Sequence, residues 1–236
     1  MGDCQRAVSF EVYMKYTNTI RGVFLDRPNR FTAHVKVNGS IETVHVKNTG
    51  RCRELLVEGA DVILSLSDNE KRKTRYDLVG VYKPSLGMVN IDSQAPNIVV
   101  REWLLKQDYD VIVPEYTWGN SRFDFYMEKD HQKYLLEIKG CTLEVDGVGY
   151  FPDAPSLRAV KHVEELIKAQ EEGFVCAVGF VIAMNGVNRV MPNMKTHPAF
   201  GEALKKAEEA GVDVLYFECL VEEDGLSVVE MTRAYI

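Results

Sequence analysis

SRFDFYMEKDHQKYLLEIK, residues 121–139, reads as two strands, Ser121–Met127 and Tyr134–Lys139, joined by the polar turn Glu128-Lys129-Asp130-His131. So short a connection makes them antiparallel neighbours. Side chains alternate along a strand. Arg122, Asp124 and Tyr126 are therefore expected on one face, and Phe123, Phe125 and Met127 on the other. In the second strand Glu137 and Lys139 lie opposite Leu136 and Ile138. If both apolar faces meet one core, Asp124, Glu137 and Lys139 converge on the far side. Two carboxylates and an amine at close quarters can hold Mg²⁺ or Mn²⁺, hard cations that keep water and take phosphate oxygens as further ligands. Such a metal polarises a phosphate and acidifies an attacking water, which the lysine can position or deprotonate. Glu115 lies towards the end of the preceding strand, Asp110–Tyr116, and is a candidate third acid. By local spacing alone, a solvated sheet face with cross-strand ion pairs fits at least as well.

Working outward towards the C-terminus, Ser156–Glu172 has helical periodicity. A step of about 100° per residue puts Arg158, Lys161, His162 and Glu165 in one sector and Leu157, Val160, Val163 and Ile167 in the other. The polar stripe is either an ordinary solvent face or a border of the acid site that holds phosphate. Phe174–Ala183 is a near-continuous apolar run, the pattern of a strand buried on both faces. Pro198–Ala210 reads as a helix ended by Gly211, and Val212–Phe217 as another strand. With a helix expected over Asn97–Lys106, the order implies an α/β layer with a mixed central sheet.

Towards the N-terminus the pattern is β. Thr19–Leu25, Thr32–Val37, Ser40–Val46, Asp61–Ser67 and Asp77–Lys83 alternate in short runs, and Asn38-Gly39 is a hairpin signal. Arg53–Leu56 is a candidate helical turn. Five short strands suggest a small barrel of the OB type, although an SH3-like barrel gives the same pattern. Pro84-Ser85-Leu86-Gly87 marks a boundary, giving a nucleic-acid-binding barrel over residues 1–83 and an α/β domain over 84–236. Lys71, Arg72, Lys73 and Arg75 form the densest basic run, and Asn48, Thr49 and Gly50 precede Arg51 and Arg53. Loops of this kind supply sequence-independent phosphate contacts. Phe24, Phe31 and Tyr76 are candidates for base stacking, with Phe24 and Phe31 better suited to the core.

The net charge of −7 hides an asymmetry: residues 1–83 hold 14 basic and 10 acidic side chains, residues 84–236 hold 14 and 25. A basic half beside an acidic one fits a gripping module next to a carboxylate-rich one. Five scattered cysteines without metal-ligand spacing point to free thiols in a reducing cytoplasm. The longest apolar stretch, Phe174 to Met184, is far short of the roughly 20 residues of a membrane span. The first twenty residues lack the basic-then-apolar pattern of a secretory signal.

The D…ExK arrangement on a hairpin resembles the PD-(D/E)xK nuclease superfamily. A wider set of motifs is more specific: NTGRC at 48–52, SDNEKRK at 67–73, SRFDF at 121–125, LEIKGCTL at 136–143, GYFPDAPS at 149–156 and RAVKHVEEL at 158–166. Together these resemble the sugar fermentation stimulation protein A family, from about Arg21 to Phe217. The resemblance implies an OB-like domain joined to a restriction-endonuclease-like α/β domain that binds and cuts DNA or RNA. It implies metal ligation by Asp124, Glu137, the Ile138 carbonyl and Glu115, with Lys139 as the catalytic lysine. Arg122, Arg158, Lys161 and His162 would join the loop residues in holding nucleic acid. The start of the helix departs from the family's usual Thr-Glu-Arg-Gly, reading Ser156-Leu157-Arg158-Ala159, which removes any acid at 157. The resulting expectation is a Mg²⁺- or Mn²⁺-dependent nuclease of the cytoplasm acting on DNA or RNA. The alternatives are a non-catalytic DNA-binding regulator of sugar fermentation genes and a structural protein whose trio is a surface ion-pair cluster. A homodimer is compatible with each.

Overall fold

The structure is a computed structural model that describes residues 14–48, 50–67, 69 and 71–235. After a two-residue strand β1 (Met14–Lys15) come β2 (Thr19–Asn29), β3 (Thr32–Val37), β4 (Ser40–Val46), β5 (Asp61–Leu66), β6 (Tyr76–Lys83) and β7 (Gly87–Asn90). They form a sheet in the order β4-β3-β2-β5-β6-β7, and β4 also pairs with β6, which closes five strands into a barrel. The Asn38-Gly39 turn has both φ angles positive, as the twist of a tight hairpin requires. Inward positions Phe24, Val35, Val44, Leu64 and Leu78 fill the interior.

The α/β part follows: α1 (Ala95–Leu104), β8 (Val111–Trp118), β9 (Ser121–Lys129), β10 (Gln132–Cys141), β11 (Leu143–Val145), β12 (Val148–Phe151), α2 (Leu157–Glu171), β13 (Val175–Ile182), β14 (Val190–Pro192), α3 (Pro198–Glu209), β15 (Asp213–Glu222) and β16 (Gly225–Ala234). The main sheet runs β1-β16-β15-β13-β10-β9-β8 and is mixed as expected, with β13 parallel to both β10 and β15. A small sheet, β11-β12-β14, sits beside it. One face of the main sheet packs on α1 through Val99, Leu104, Phe125, Leu136 and Phe217. The other packs on α2 and α3 through Val163, Leu166, Val178, Phe180 and Leu204, in a cluster continuous with the barrel interior. β13 is buried along nearly its whole length, as its apolar run predicted. The four described cysteines are unpaired and buried, and burial pushes each thiol up to about 12, which leaves them unreactive.

Two boundaries differ from the reading of the sequence. The barrel sheet does not stop at Lys83, because β7 folds back on β6. Residues 14 and 15 do not join the barrel; they pair with β16 in the other sheet.

Candidate active site

The loop that turns β9 into β10 is only Asp130-His131, both at positive φ, so the two strands are long and aligned. Their ladder runs from Lys129–Gln132 to Phe125–Leu136 and stops there. Beyond that point the Asp124 carboxylate fills the gap. Its Oδ2 accepts the Ile138 amide at 2.7 Å, and its Oδ1 accepts the Asn97 side-chain amide from α1 at 2.6 Å. On β8, the position facing Asp124 is Glu115, which has φ of 58° and no ladder partner. This irregularity breaks strict alternation. Phe123 packs against His162 on the α2 face, whereas Phe125 and Met127 lie on the α1 face. The expected single apolar face of β9 is therefore split between two cores.

Glu137 is approached from the opposite side. It is 3% exposed, and its Oε1 receives both the Lys139 ammonium and His162 Nδ1. Arg158 Nε donates to His162 Nε2 at 3.3 Å, which leaves the Nδ1 proton for Glu137. Oε2 of Glu137 is buried and has no hydrogen-bond partner. Burial, and then the Glu137 charge, push the Asp124 carboxyl above its usual range. Burial also pushes Glu137 upward, but the His162 hydrogen bond and the Lys139 charge together outweigh it and hold that carboxyl low. Two adjacent carboxylates, one costly to ionise and one with a bare buried oxygen, are a donor set that a divalent cation would satisfy.

The other expected residues fall in different places. Glu115 turns to Arg122 at 2.9 Å on the exposed edge strand, and both side chains are more than half exposed. Among the described residues no three His, Cys, Asp or Glu side chains converge on a metal position, so Glu115 is not in place as a third ligand. Ile138 lies between the acids, its side chain in the α1-side core. Lys161 donates to the Asn120 carbonyl at 2.7 Å and so pins the β8–β9 turn to α2. The polar stripe of α2 is split: His162 and Glu165 are each 5% exposed and turned to the protein, Arg158 and Lys161 are exposed, and apolar Leu157 is 80% exposed. The helix lies over the strand that carries Glu137, which needs a polar partner there. Arg72 is drawn into a two-point ion pair with Asp77, at 2.6 and 3.0 Å, leaving Lys71, Lys73 and Arg75 exposed around it. Phe24 is buried at 3%, but Phe31 is 53% exposed, contrary to its expected place in the core. Tyr76 is buried with Arg75 over its ring. Thr49 lies outside the described residues.

A cleft of about 680 Å³ opens between the barrel and the α/β part. It does not contain the acid pair, but Gly140 and Pro96 line it, next in sequence to Lys139 and Asn97. A Cβ on Gly140 would meet Pro96 Cγ at 2.9 Å, so glycine keeps this floor close-packed. Arg27 braces the barrel side, donating to the carbonyls of Asn48, Gly50, Arg51 and Arg30. Asn48 fixes the same loop, accepting from the Gly50 amide and donating to the Ile91 carbonyl. Asp153 of the α/β part accepts the Arg51 amide at 2.8 Å. Asn97, Arg27 and Asp153 were missed in the sequence, since nothing local marks a residue whose partners are chosen by tertiary placement.

Two family models match this chain one after the other: "SfsA N-terminal OB domain" over residues 25–91 and "Sugar fermentation stimulation protein RE domain" over residues 94–225. The chain belongs to the sugar fermentation stimulation protein family. Its barrel is thus the OB domain of that family rather than an SH3-like one. A sugar fermentation stimulation protein homolog of Clostridium beijerinckii is 49% identical over 219 residues, covering 91% of this chain and 96% of the relative. One from Desulfitobacterium hafniense is 51% identical over 216 residues, covering 90% and 94%. A solved structure described as Pyrococcus furiosus SfsA in complex with Ca²⁺ aligns with a TM-score of 0.80 and 28% identity, over 94% of this chain and 95% of that one.

Proposed function

We propose that this member of the family is a divalent-metal-dependent phosphodiesterase acting on DNA or RNA. The observation that carries the reading is the bare, buried Oε2 of Glu137 beside Asp124. An unpaired carboxylate oxygen in a protein interior is costly, and a cation is the partner that this site's chemistry suits. The solved Pyrococcus furiosus SfsA was described in complex with Ca²⁺, an ion that also seeks oxygen ligands. Asp124, Glu137 and the Ile138 carbonyl would hold Mg²⁺ or Mn²⁺, which when bound supplies charge to the phosphate and acidifies water. The protein's own part is positional. Asn97 and the Ile138 amide fix Asp124. His162, itself oriented by Arg158, fixes Glu137. Lys139 keeps a cationic amine at the pair, where it can hold the attacking water or offset charge building on phosphate.

Helix α2 favours this reading over a surface ion-pair cluster. It covers Glu137 and buries a histidine against it, so the acid does not sit on a solvated sheet face. A DNA-binding protein without catalysis remains the second reading, and one assay separates them. Wild type and Asp124→Ala are incubated with single- and double-stranded DNA and RNA in Mg²⁺, Mn²⁺ or EDTA. Cleavage by wild type alone, abolished by EDTA, is the expected result. Equal rates for the two proteins, or binding with no cleavage in any metal, would reject the enzyme.

A further inference from the structure

The cleft between barrel and α/β part has a use that the acid pair does not explain. Four arginines line it, Arg27, Arg30, Arg51 and Arg53, against two aspartates, Asp92 and Asp153. Both aspartates are engaged: Asp92 accepts Lys47 and Tyr16, and Asp153 accepts the Arg51 amide. Arg30, Arg51 and Arg53 have no ion-pair partner among the described residues, and all three are exposed. Helix starts add to the positive field. Pro96 in the first turn of α1 and Ser156 at the N-cap of α2 both line the cleft, and N-termini of helices favour phosphate. Tyr150 lines the same wall, so an aromatic face accompanies the charges.

We infer that this cleft is the path of a single strand of nucleic acid on its way to Asp124 and Glu137. The inference rests on the reading of that pair as a phosphodiesterase centre and adds the form of the substrate. Size and closure decide against a duplex. The space, about 680 Å³, is in the range that encloses a small ligand, about 300–1,000 Å³, which admits a few nucleotides but not a double helix. The bond from the Arg51 amide to Asp153 also bridges the two walls. A flexible strand can lie beside such a bridge, with phosphates on arginine and bases on aromatic rings. Gly140 and Pro96 bring the cleft to the chain neighbours of Lys139 and of Asn97, and Asn97 holds Asp124. The basic run Lys71–Arg75 does not line this path.

The test is binding without cleavage, in EDTA, by fluorescence anisotropy. The probes are a labelled oligothymidylate and a hairpin duplex of equal length. Wild type should bind the single strand more tightly. The triple variant Arg30→Ala/Arg51→Ala/Arg53→Ala should lose on the order of 100-fold at low salt, and its salt slope should fall by about 2, at roughly 0.7 per lost phosphate contact. Each single variant should lose several-fold, which covers the case of an unstable triple. A comparison triple, Lys71→Ala/Lys73→Ala/Arg75→Ala, removes the same charge from the barrel loop outside the cleft and should lose clearly less than the cleft triple at the same salt. Tighter duplex binding, wild-type affinity in the cleft variants, or an equal loss in the comparison triple overturns the path. Because no cleavage is measured, these results stand apart from the assay of the acid pair. A protein that binds through the cleft but never cuts keeps the path and loses the enzyme.

Discussion

Glu137 has one oxygen with two donors and one with none, and that imbalance sets the predictions at the scale of the residue. Adding Mn²⁺ or Mg²⁺ should raise the melting temperature. At 100-fold over Kd the gain is about 2.7 kcal/mol, or roughly 5–11 °C for a chain of this size. Asp124→Ala or Glu137→Gln should abolish that shift, measured by differential scanning fluorimetry against an EDTA control. A variant that keeps the full shift would place the metal elsewhere. Lys139→Ala should keep much of the shift while slowing cleavage by about 10²–10⁴-fold, the usual size of a lost acid–base or charge-stabilising group. The trio itself was legible from alternation along two strands, although alternation gave a partly wrong picture. It placed Phe123 and Phe125 together, whereas the unpaired Glu115 and the parting of the strands at Asp124 send them to opposite cores. His162 was visible as a polar position on a helix. Its burial was not, because a periodic stripe cannot reveal that the strand beneath it carries a carboxylate in need of a partner.

At the scale of the element, α2 and β13 hold the site in shape. Ser156 is extended and its side chain accepts the Ala159 amide at 3.2 Å, a helix N-cap. Ser156→Ala should cost about 1 kcal/mol, seen as a lower midpoint in urea with an unchanged slope. Gly179 is a stricter case. A Cβ there would stand 2.7 Å from Phe217 Cε2 and 2.9 Å from Ile138 Cδ1. Gly179→Ala should therefore cost about 1–3 kcal/mol by overpacking and disturb the strand that bears Glu137, lowering cleavage as well as stability. Equal stability in urea would mean that the two side chains move aside freely. The long elements were readable because their apolar periods are long: β13 as a continuous run, α2 by spacing, and α3 by spacing and by Gly211 after it. The short ones were not. β7, β11, β12 and β14 have only three or four residues each, too few for any period to show. β16 was missed for another reason, since its sequence GLSVVEMTRA mixes polar and apolar positions without regular alternation.

Across the whole molecule, buried ions tie the barrel to the α/β part. Lys83 at the end of β6 bonds the carboxylate and the backbone carbonyl of Glu144 in β11, and the two side chains are 19% and 6% exposed. Burial pushes the Glu144 carboxyl up, but Lys83 and the Gly147 amide prevail and hold it below its usual range. A depressed carboxylate adds stability above its unfolded pKa and loses it as pH falls through the folded one. Lys83→Met should thus cost about 1–3 kcal/mol at pH 7. The deficit should narrow towards about pH 3, followed by urea unfolding at both pH values. A deficit that grows on acidification would contradict the pair. The two-part plan was visible in composition and turn signals; its exact seams were not, since β1 and β7 are placed by pairings far along the chain.

The pairing of Met14 with Leu226 and of Lys15 with Gly225 also orders events on the ribosome. At about 5–20 residues per second, Met14 and Lys15 emerge roughly ten to forty seconds before the strand they pair with. Every barrel strand is made by Asn90, well before Asp124 and Glu137 are translated. A nascent chain can thus finish its barrel while the acid pair is still unmade, and the main sheet takes β16 last of its strands.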